Sequence, residues 1–166
     1  GRASAGLVLE CLPEPVRLSH LSDLQTDGIG PAALAARDAS NAFGPHLVVF
    51  TGDIVNHPSL RAEVRDYLKS WKRLSGAYFV EGDVDSREDA AETVVAAGFI
   101  VADGKMLSAK AGRSRVGIIG MGPADSYDPS LVGMQAERLS RTTDVRVLAT
   151  HRPDVYFALG KADVQL

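Results

Sequence analysis

Acidic side chains follow three of the strands predicted below, and a histidine follows a fourth. Asp23, Asp53 and Asp83 come after apolar or β-branched runs, and His151 follows Val145–Thr150. The carboxyl ends of parallel strands meet at one edge of an open α/β sheet, so we expect these side chains to lie close together. Neighbouring carboxylates raise one another's pKa unless a cation lies among them, and oxygen ligands with an imidazole suit Mn, Fe, Zn or Mg. The pattern therefore predicts a divalent-metal site.

Each aspartate taken alone has a simpler explanation, because Asp is a common helix N-cap in the loops that join strands to helices. Gly52 and Gly82 precede Asp53 and Asp83, and glycine lets the backbone turn sharply at a crowded site. The two Gly-Asp turns together with His151 favour the metal-site interpretation for the set.

The surrounding elements alternate between short apolar runs and helical patterns, which predicts parallel βαβ units and one α/β domain over residues 1–166. Between Phe99 and Gly120 short strands with glycine turns replace the helices, which predicts antiparallel pairing. The predicted strands are Leu7–Cys11, Val16–Leu21, Leu47–Thr51, Ala77–Val80, Phe99–Ala102, Lys105–Ala109, Arg115–Gly120, Val145–Thr150 and Asp163–Leu166. The predicted helices are Pro31–Phe43, Ser59–Leu74, Arg87–Ala97 and Ser130–Leu139.

Composition excludes several classes of protein. The chain is 45% hydrophobic with a net charge of −3, and it has neither a basic stripe for nucleic acid nor an apolar run long enough to span a membrane. Cys11 is the single cysteine, so an internal disulfide and zinc sites built from two or four cysteines are excluded.

Four segments together resemble the motifs of the calcineurin-like metallophosphoesterase superfamily. Val16–Gln25 resembles the opening Asp-x-His motif, and Pro45–Asp53 resembles the Gly-Asp motif. Val80–Asp85 lies where the family has Gly-Asn-His-Asp/Glu, and Val147–Asp154 resembles a later His motif. The order and spacing of these motifs are preserved, so the set is specific although each motif alone is weak.

The resemblance implies a β-sandwich flanked by helices and a phosphoric ester hydrolase with two divalent metal ions. Asp23 would bind one ion, Asp53 would bridge both, Asp83 and His151 would bind the second, and Gln25 would be a further ligand. Asp53 and His151 are thus also the predicted catalytic residues. The implied substrate is a phosphomonoester or phosphodiester of a small or lipid-like molecule. The location stays unknown, and both a cytoplasmic and a membrane-associated one are open.

The chain departs from the family pattern in several places. Gln25 replaces a histidine ligand, Asp83 replaces an asparagine, and Val84 replaces the histidine beside the scissile phosphate, for which His57 and Asp85 are the nearest substitutes. The later Gly-His-x-His motif is absent before Leu166. We therefore expect an N-terminal portion of such a domain, incomplete at its C-terminus, that binds metal weakly and hydrolyses little by itself.

Two other functions stay open. Gln25 and Val84 are also compatible with a degenerate, non-catalytic domain that binds a phosphorylated ligand or a protein. Asp27–Ala33 contains Gly-x-Gly-x-x-Ala at a predicted helix start, which is similar to a dinucleotide-binding fingerprint with Asp53 as the ribose ligand.

Two further residues carry expectations of their own. Arg152 could meet a substrate phosphate, and His46 is expected to face solvent.

Overall fold

The computed structural model of the chain describes residues 12–24, 27–85, 90–125, 134, 138, 141–155 and 164–165. The strands are β1 (Leu18–Leu21), β2 (Leu47–Thr51), β3 (Gly76–Val80), β4 (Ile100–Val101), β5 (Met106–Ala111), β6 (Ser114–Met121), β7 (Val145–Thr150) and β8 (Val164–Gln165). The helices are α1 (Pro31–Phe43), α2 (Arg61–Lys69), which follows a 3₁₀ turn at Pro58–Leu60, and α3 (Ala90–Ala96).

Strands β1 to β4 form a parallel sheet in the order β1-β2-β3-β4. Strand β2 lies in its interior, with Leu47 opposite Leu18 on one side and Gly76 on the other. All five residues of β2 are buried, as a run that is apolar on both faces requires. The parallel βαβ units predicted from the sequence are confirmed here.

Strands β5 to β8 form a second sheet in the order β5-β6-β7-β8. β5 and β6 are an antiparallel pair joined by a tight turn at Gly112, whose φ of +61° favours glycine. β6, β7 and β8 are parallel. The prediction of antiparallel pairing is therefore confirmed for β5 and β6, whereas β4 joins the first sheet in parallel.

The two sheets pack face to face, and successive residues of β2 alternate between two cores. Leu47 and Val49 lie in a cluster with residues of β6 and β7, including Val116 and Val147. Val48 and Phe50 lie in the cluster formed with α2 and α3. This alternation follows from the two-residue period of a strand. The first sheet is thus a middle layer between the second sheet and the helices.

Local sequence signals account for the helix ends and for the main differences from prediction. Pro31 occupies the first turn of α1, and Gly44 ends that helix with a left-handed φ of +64°. The predicted end of α2 at Leu74 is wrong, because the helix stops at Lys69 while the Ser70 hydroxyl caps the Tyr67 carbonyl.

His46 does not face solvent, and that prediction is also wrong. Its side chain is buried, and Nδ1 accepts a hydrogen bond of 3.0 Å from the Arg17 amide. Burial, with the nearby Arg17 charge, lowers the pKa of His46. The histidine ties the start of β2 to the chain that leads into β1.

Some predicted elements lie outside the described residues. Leu7–Cys11 is not covered, and Ser130–Leu139 is represented only by Met134 and Arg138, both of which are helical. Within the part of the chain that is described, no helix has the length and apolar character needed to cross a membrane.

Candidate metal centre

Asp23, Asp53 and His151 come together at the carboxyl ends of β1, β2 and β7. Each offers one ligand atom, and these atoms all lie within 4.8 Å of one another. β1 and β2 belong to one sheet and β7 belongs to the other. The cluster therefore lies where the carboxyl ends of strands from both sheets meet. The expectation that these strand ends converge is met for these three residues.

The His151 ring is oriented by a backbone carbonyl. Nδ1 lies 2.8 Å from the Thr51 carbonyl oxygen, which can only accept, so Nδ1 carries the hydrogen and donates it. Nε2 then faces Asp53, at 3.7 Å from Oδ2. Metal-binding histidines are commonly held this way, with the second ring nitrogen donating to a carbonyl or carboxylate. Nε2 is therefore presented as a ligand atom.

The two aspartates have unusual backbone conformations. Asp23 has φ +53° and Asp53 has φ +56°, and within the described ranges no other residue besides glycine has a positive φ. The Asp23 amide donates a 3.1 Å hydrogen bond to the Gly52 carbonyl, which links the two turns. Such conformations cost free energy and cluster at functional sites, where the surrounding structure maintains them. The strain thus marks the same two carboxylates that the strand-end pattern selects.

The two glycines allow the turns to approach each other closely. A Cβ atom on Gly52, where φ is +85°, would lie 2.6 Å from the Gly82 Cα and 2.6 Å from His151 Nδ1. A Cβ atom on Gly82 would collide with Asp53 Oδ1 and would lie 2.6 Å from the Asp53 amide nitrogen. Real Cβ atoms do not approach other atoms so closely, so the cluster requires glycine at both positions.

Asp85 holds the loops that carry the site in place through buried hydrogen bonds, a role that the sequence analysis missed. Its carboxylate is fully buried and accepts hydrogen bonds from the amides of Asp53 (2.6 Å), Ile54 (2.9 Å) and Gly82 (2.9 Å). Burial raises the pKa of Asp85, and the three amide donors partly offset that rise. The signal was present, since an Asp three residues after Gly82 can bond back to that amide within one turn.

Asp83 is not part of the three-residue cluster. Its Oδ1 accepts hydrogen bonds from Arg152 Nε (3.1 Å) and Nη2 (2.9 Å), and the ion pair is partly exposed. The neighbouring Val84 amide donates a 3.1 Å hydrogen bond to Asp53 Oδ1. The loop after β3 thus touches the cluster through its backbone, while the Asp83 side chain is paired with the residue that follows His151.

The remaining candidates lie at the margin or elsewhere. Gln25 lies outside the described residues. His57 is exposed and caps the 3₁₀ turn, where its Nδ1 lies 2.9 Å from Ser59 Oγ. His20 Nε2 lies 2.7 Å from Thr51 Oγ1, on the residue whose carbonyl orients His151. His57 therefore has a capping role, and His20 bonds to Thr51, a residue that contacts the cluster.

A second group of carboxylates lies beside the loop after β3. Asp103 Oδ1 accepts a 3.0 Å hydrogen bond from the Glu81 amide, while Oδ2 is buried without a partner among the described residues. Burial raises the pKa of Asp103 to about 6. Burial, followed by the charge of Asp85, also raises the pKa of Glu81. Burial therefore favours the protonated form of both Asp103 and Glu81.

The donor set of the cluster fits a divalent cation. Two carboxylates and an imidazole are the ligand types that Mn, Fe and Zn accept, and their mutual repulsion favours a bound cation. Asp23, Asp53 and His151 could therefore hold one metal ion.

The geometry does not favour the dinucleotide alternative. At the start of α1 the Ile29 amide donates a 2.7 Å hydrogen bond to Glu63 Oε1, so a carboxylate already occupies a position where a pyrophosphate would bind. Asp53, the required ribose ligand, instead lies in the cluster with Asp23 and His151.

Comparison with known proteins adds evidence on the fold. No protein-family profile matches the chain, and no curated protein matches it. Among solved structures, it is similar to a phosphopantetheinyl hydrolase from Mycobacterium tuberculosis, with a TM-score of 0.51 and 13% identity over 82% of this chain and 68% of that one. A protein of unknown function from Aquifex aeolicus has a TM-score of 0.47 and 10% identity over 87% and 94% of the two chains. At 13% identity, the similarity to the hydrolase shows a shared fold alone.

Proposed function

We propose that the chain carries the metal site of a divalent-metal-dependent phosphoesterase related to the calcineurin-like superfamily. The observation that carries the proposal is the cluster of Asp23, Asp53 and His151, formed from three strand ends with both aspartates at positive φ. The sequence motifs name these three residues among five expected ligands, the other two being Gln25 and Asp83. The two-sheet sandwich with helices on its outer face agrees with the fold that the resemblance implies.

The residues of the chain have distinct roles in this proposal. Asp23, Asp53 and His151 would hold a divalent ion, and the two-ion form would also use Asp83 and Gln25. An ion bound there would supply a Lewis acid that activates water and offsets charge on the phosphate oxygens. Thr51 keeps the His151 ring in the tautomer that presents Nε2, and Asp85 maintains the turn that carries Asp53.

The metal site and the name of the structural neighbour support a substrate class to test. The name of that neighbour describes the hydrolysis of phosphopantetheinyl groups, and a phosphoester of a small or lipid-like molecule fits a metal site of this kind. A phosphopantetheine-bearing phosphoester is therefore a first physiological class to test, alongside a generic aryl phosphodiester.

The test measures metal binding and turnover in the same preparations. We expect Mn²⁺ to bind and to support hydrolysis of bis(p-nitrophenyl) phosphate, and Asp53→Asn to reduce both by more than about a hundredfold, which exceeds typical losses from residues behind the ligands. Asp66→Asn is the matched control, because Asp66 is an exposed carboxylate paired with Arg65 on α2.

Two outcomes would change the conclusion. If Mn²⁺ binding did not depend on Asp53, the metal site would be wrong. If binding depended on Asp53 but no phosphoester were turned over, the non-catalytic alternative would hold. Val84 favours that alternative, because it supplies a backbone amide to Asp53 and no side-chain proton.

A further inference from the structure

The Asp83–Arg152 ion pair bridges the two loops that carry the metal ligands. Asp83 lies between Gly82, which packs against Asp53, and Val84, whose amide bonds to Asp53. Arg152 directly follows His151. The pair therefore lies beside the cluster of Asp23, Asp53 and His151.

The geometry of the pair leaves it open to exchange. The hydrogen bonds from Arg152 Nε and Nη2 converge on Oδ1 of Asp83, and the side chains of Arg152 and Asp83 are 30% and 49% exposed. Ion pairs with this much solvent exposure contribute little net stability, so a competing partner for either side chain can replace the contact.

Each side chain of the ion pair can bind another partner at a phosphoesterase site: Arg152 can bind a phosphate group, and Asp83 can bind a divalent cation. The planar guanidinium of arginine matches the oxygens of a phosphate group, which it can bind with two hydrogen bonds. A carboxylate released beside two other carboxylates and an imidazole adds an oxygen ligand for a divalent cation. While the ion pair persists, neither side chain is fully available for its competitor.

We propose that the Asp83–Arg152 pair is an exchange latch that couples anion binding to cation binding at this site, an inference that rests on the proposed metal site. A phosphate group entering the site takes Arg152 from Asp83, and the released carboxylate then strengthens the binding of a divalent ion. By thermodynamic linkage, the cation strengthens phosphate binding by the same factor. The latch therefore makes each ligand bind more tightly when the other is already bound.

The test measures Mn²⁺ affinity by equilibrium dialysis, with and without dimethyl phosphate, a soluble diester anion. In the wild-type chain we expect dimethyl phosphate to tighten Mn²⁺ binding by about tenfold, within the usual range of coupling between sites. Arg152→Gln should tighten Mn²⁺ binding in the absence of the anion, because Asp83 is released, and should remove the effect of dimethyl phosphate. Asp83→Asn should remove the coupling without that tightening.

The matched control is Arg65→Gln, which breaks another arginine–aspartate pair with exposed members, on α2. It should leave both the Mn²⁺ affinity and the effect of dimethyl phosphate unchanged. Circular dichroism of each variant checks that the fold is retained.

The outcomes separate the latch from the metal site itself. If the anion effect persisted in Arg152→Gln, the anion would contact the ion directly, and the latch would be overturned. If the wild-type chain showed no coupling, the latch would be overturned as well. If Mn²⁺ binding did not respond to Asp53→Asn, the metal site would fail and the latch with it.

Discussion

The carboxylate of Asp85 accepts three amide hydrogen bonds in a fully buried position, and one of the donors is the strained residue Asp53. In Asp85→Asn an amide group replaces one carboxylate oxygen, so at least one backbone donor faces another donor. We expect a loss of about 1.5–3 kcal/mol in the free energy of unfolding, the range for hydrogen bonds to charged groups. Denaturant titration measures it.

The control for that prediction is Asp66→Asn, which we expect to change stability by less than about 0.5 kcal/mol because the site is exposed. A stability of Asp85→Asn equal to that of the control would show that the three amides find other partners. Mn²⁺ affinity should fall in Asp85→Asn together with stability, since Asp53 loses its support.

The raised pKa of Asp103 predicts that the free energy of unfolding depends on pH. Its pKa is raised from 3.8 to about 6 in the folded chain, so the folded state retains a proton that the unfolded state has already lost. The protonated Asp103 therefore stabilises the folded state below about pH 4, and this contribution to the free energy of unfolding is lost as the pH rises to about 6. Asp103→Asn keeps the oxygen that bonds to the Glu81 amide and removes the charge.

The stability of Asp103→Asn relative to wild type should accordingly rise by about 1 kcal/mol between pH 4 and pH 6, after a discount for the partial exposure of the side chain. Thermal or urea unfolding at closely spaced pH values measures the difference. A difference that stays flat, or falls with pH, would contradict a raised pKa at this position.

At the scale of single residues, the strand-end pattern predicted Asp23, Asp53 and His151 because sites in α/β folds gather beyond the carboxyl ends of the strands. Those ends of β1, β2 and β7 meet although β7 belongs to the second sheet. Asp83 and Asp85 also make contacts outside their own loop, which could not be predicted in this way. Their hydrogen bonds reach Arg152 and Ile54, which are distant in sequence, so the contacts depend on how separate loops pack.

At the scale of elements, the βα turns after β2 and β3 depend on glycine. Gly82→Ala would drive a Cβ atom into Asp53, and we expect a loss of more than about 2 kcal/mol in stability, as overpacking causes, together with loss of Mn²⁺ binding. Unfolding curves and equilibrium dialysis measure the two effects.

Gly30→Ala is the matched control for the glycine prediction. A Cβ atom there meets nothing within 4 Å, and Gly30 has a negative φ of −84° at the N-cap of α1. We expect it to retain Mn²⁺ binding and to lose less than about 1 kcal/mol, the typical cost of alanine at an N-cap. If Gly82→Ala behaved like this control, the close approach of the two turns would not be required.

Element boundaries were predictable where local signals decide them. β2, β7 and α1 have the predicted bounds, since the apolar and β-branched residues of the strands and the Pro31 and Gly44 signals of the helix are read directly from the chain. α2 ends early although Trp71 continues its apolar spacing. Trp71 is buried by ring contacts with Phe50 and Tyr67 at 5.0 Å and 5.9 Å between centroids, so packing rather than helix geometry explains that spacing.

At the scale of the whole molecule, Phe50 joins the middle layer to the helices. Its ring packs edge-to-face against Trp71 and Phe99, at centroid distances of 5.0 Å and 5.5 Å. We expect Phe50→Ala to cost about 3–5 kcal/mol of stability, as large-to-small changes in a core do. Leu34→Ala, at a side chain that is 37% exposed, should cost far less. Chemical denaturation of both variants tests the contrast, and equal losses would contradict it.

The hydrogen bond from His151 Nδ1 to the Thr51 carbonyl joins residues that are 100 positions apart. Contacts of such long range require a large loss of chain entropy to close the intervening loop, so we expect the three ligand residues to meet late in folding, once both sheets have docked. An ion that recognises only the finished arrangement would stabilise the native state without stabilising the folding transition state. Divalent cations should therefore slow unfolding while leaving the folding rate almost unchanged. The bound metal would then increase the kinetic stability of the contact between the two sheets.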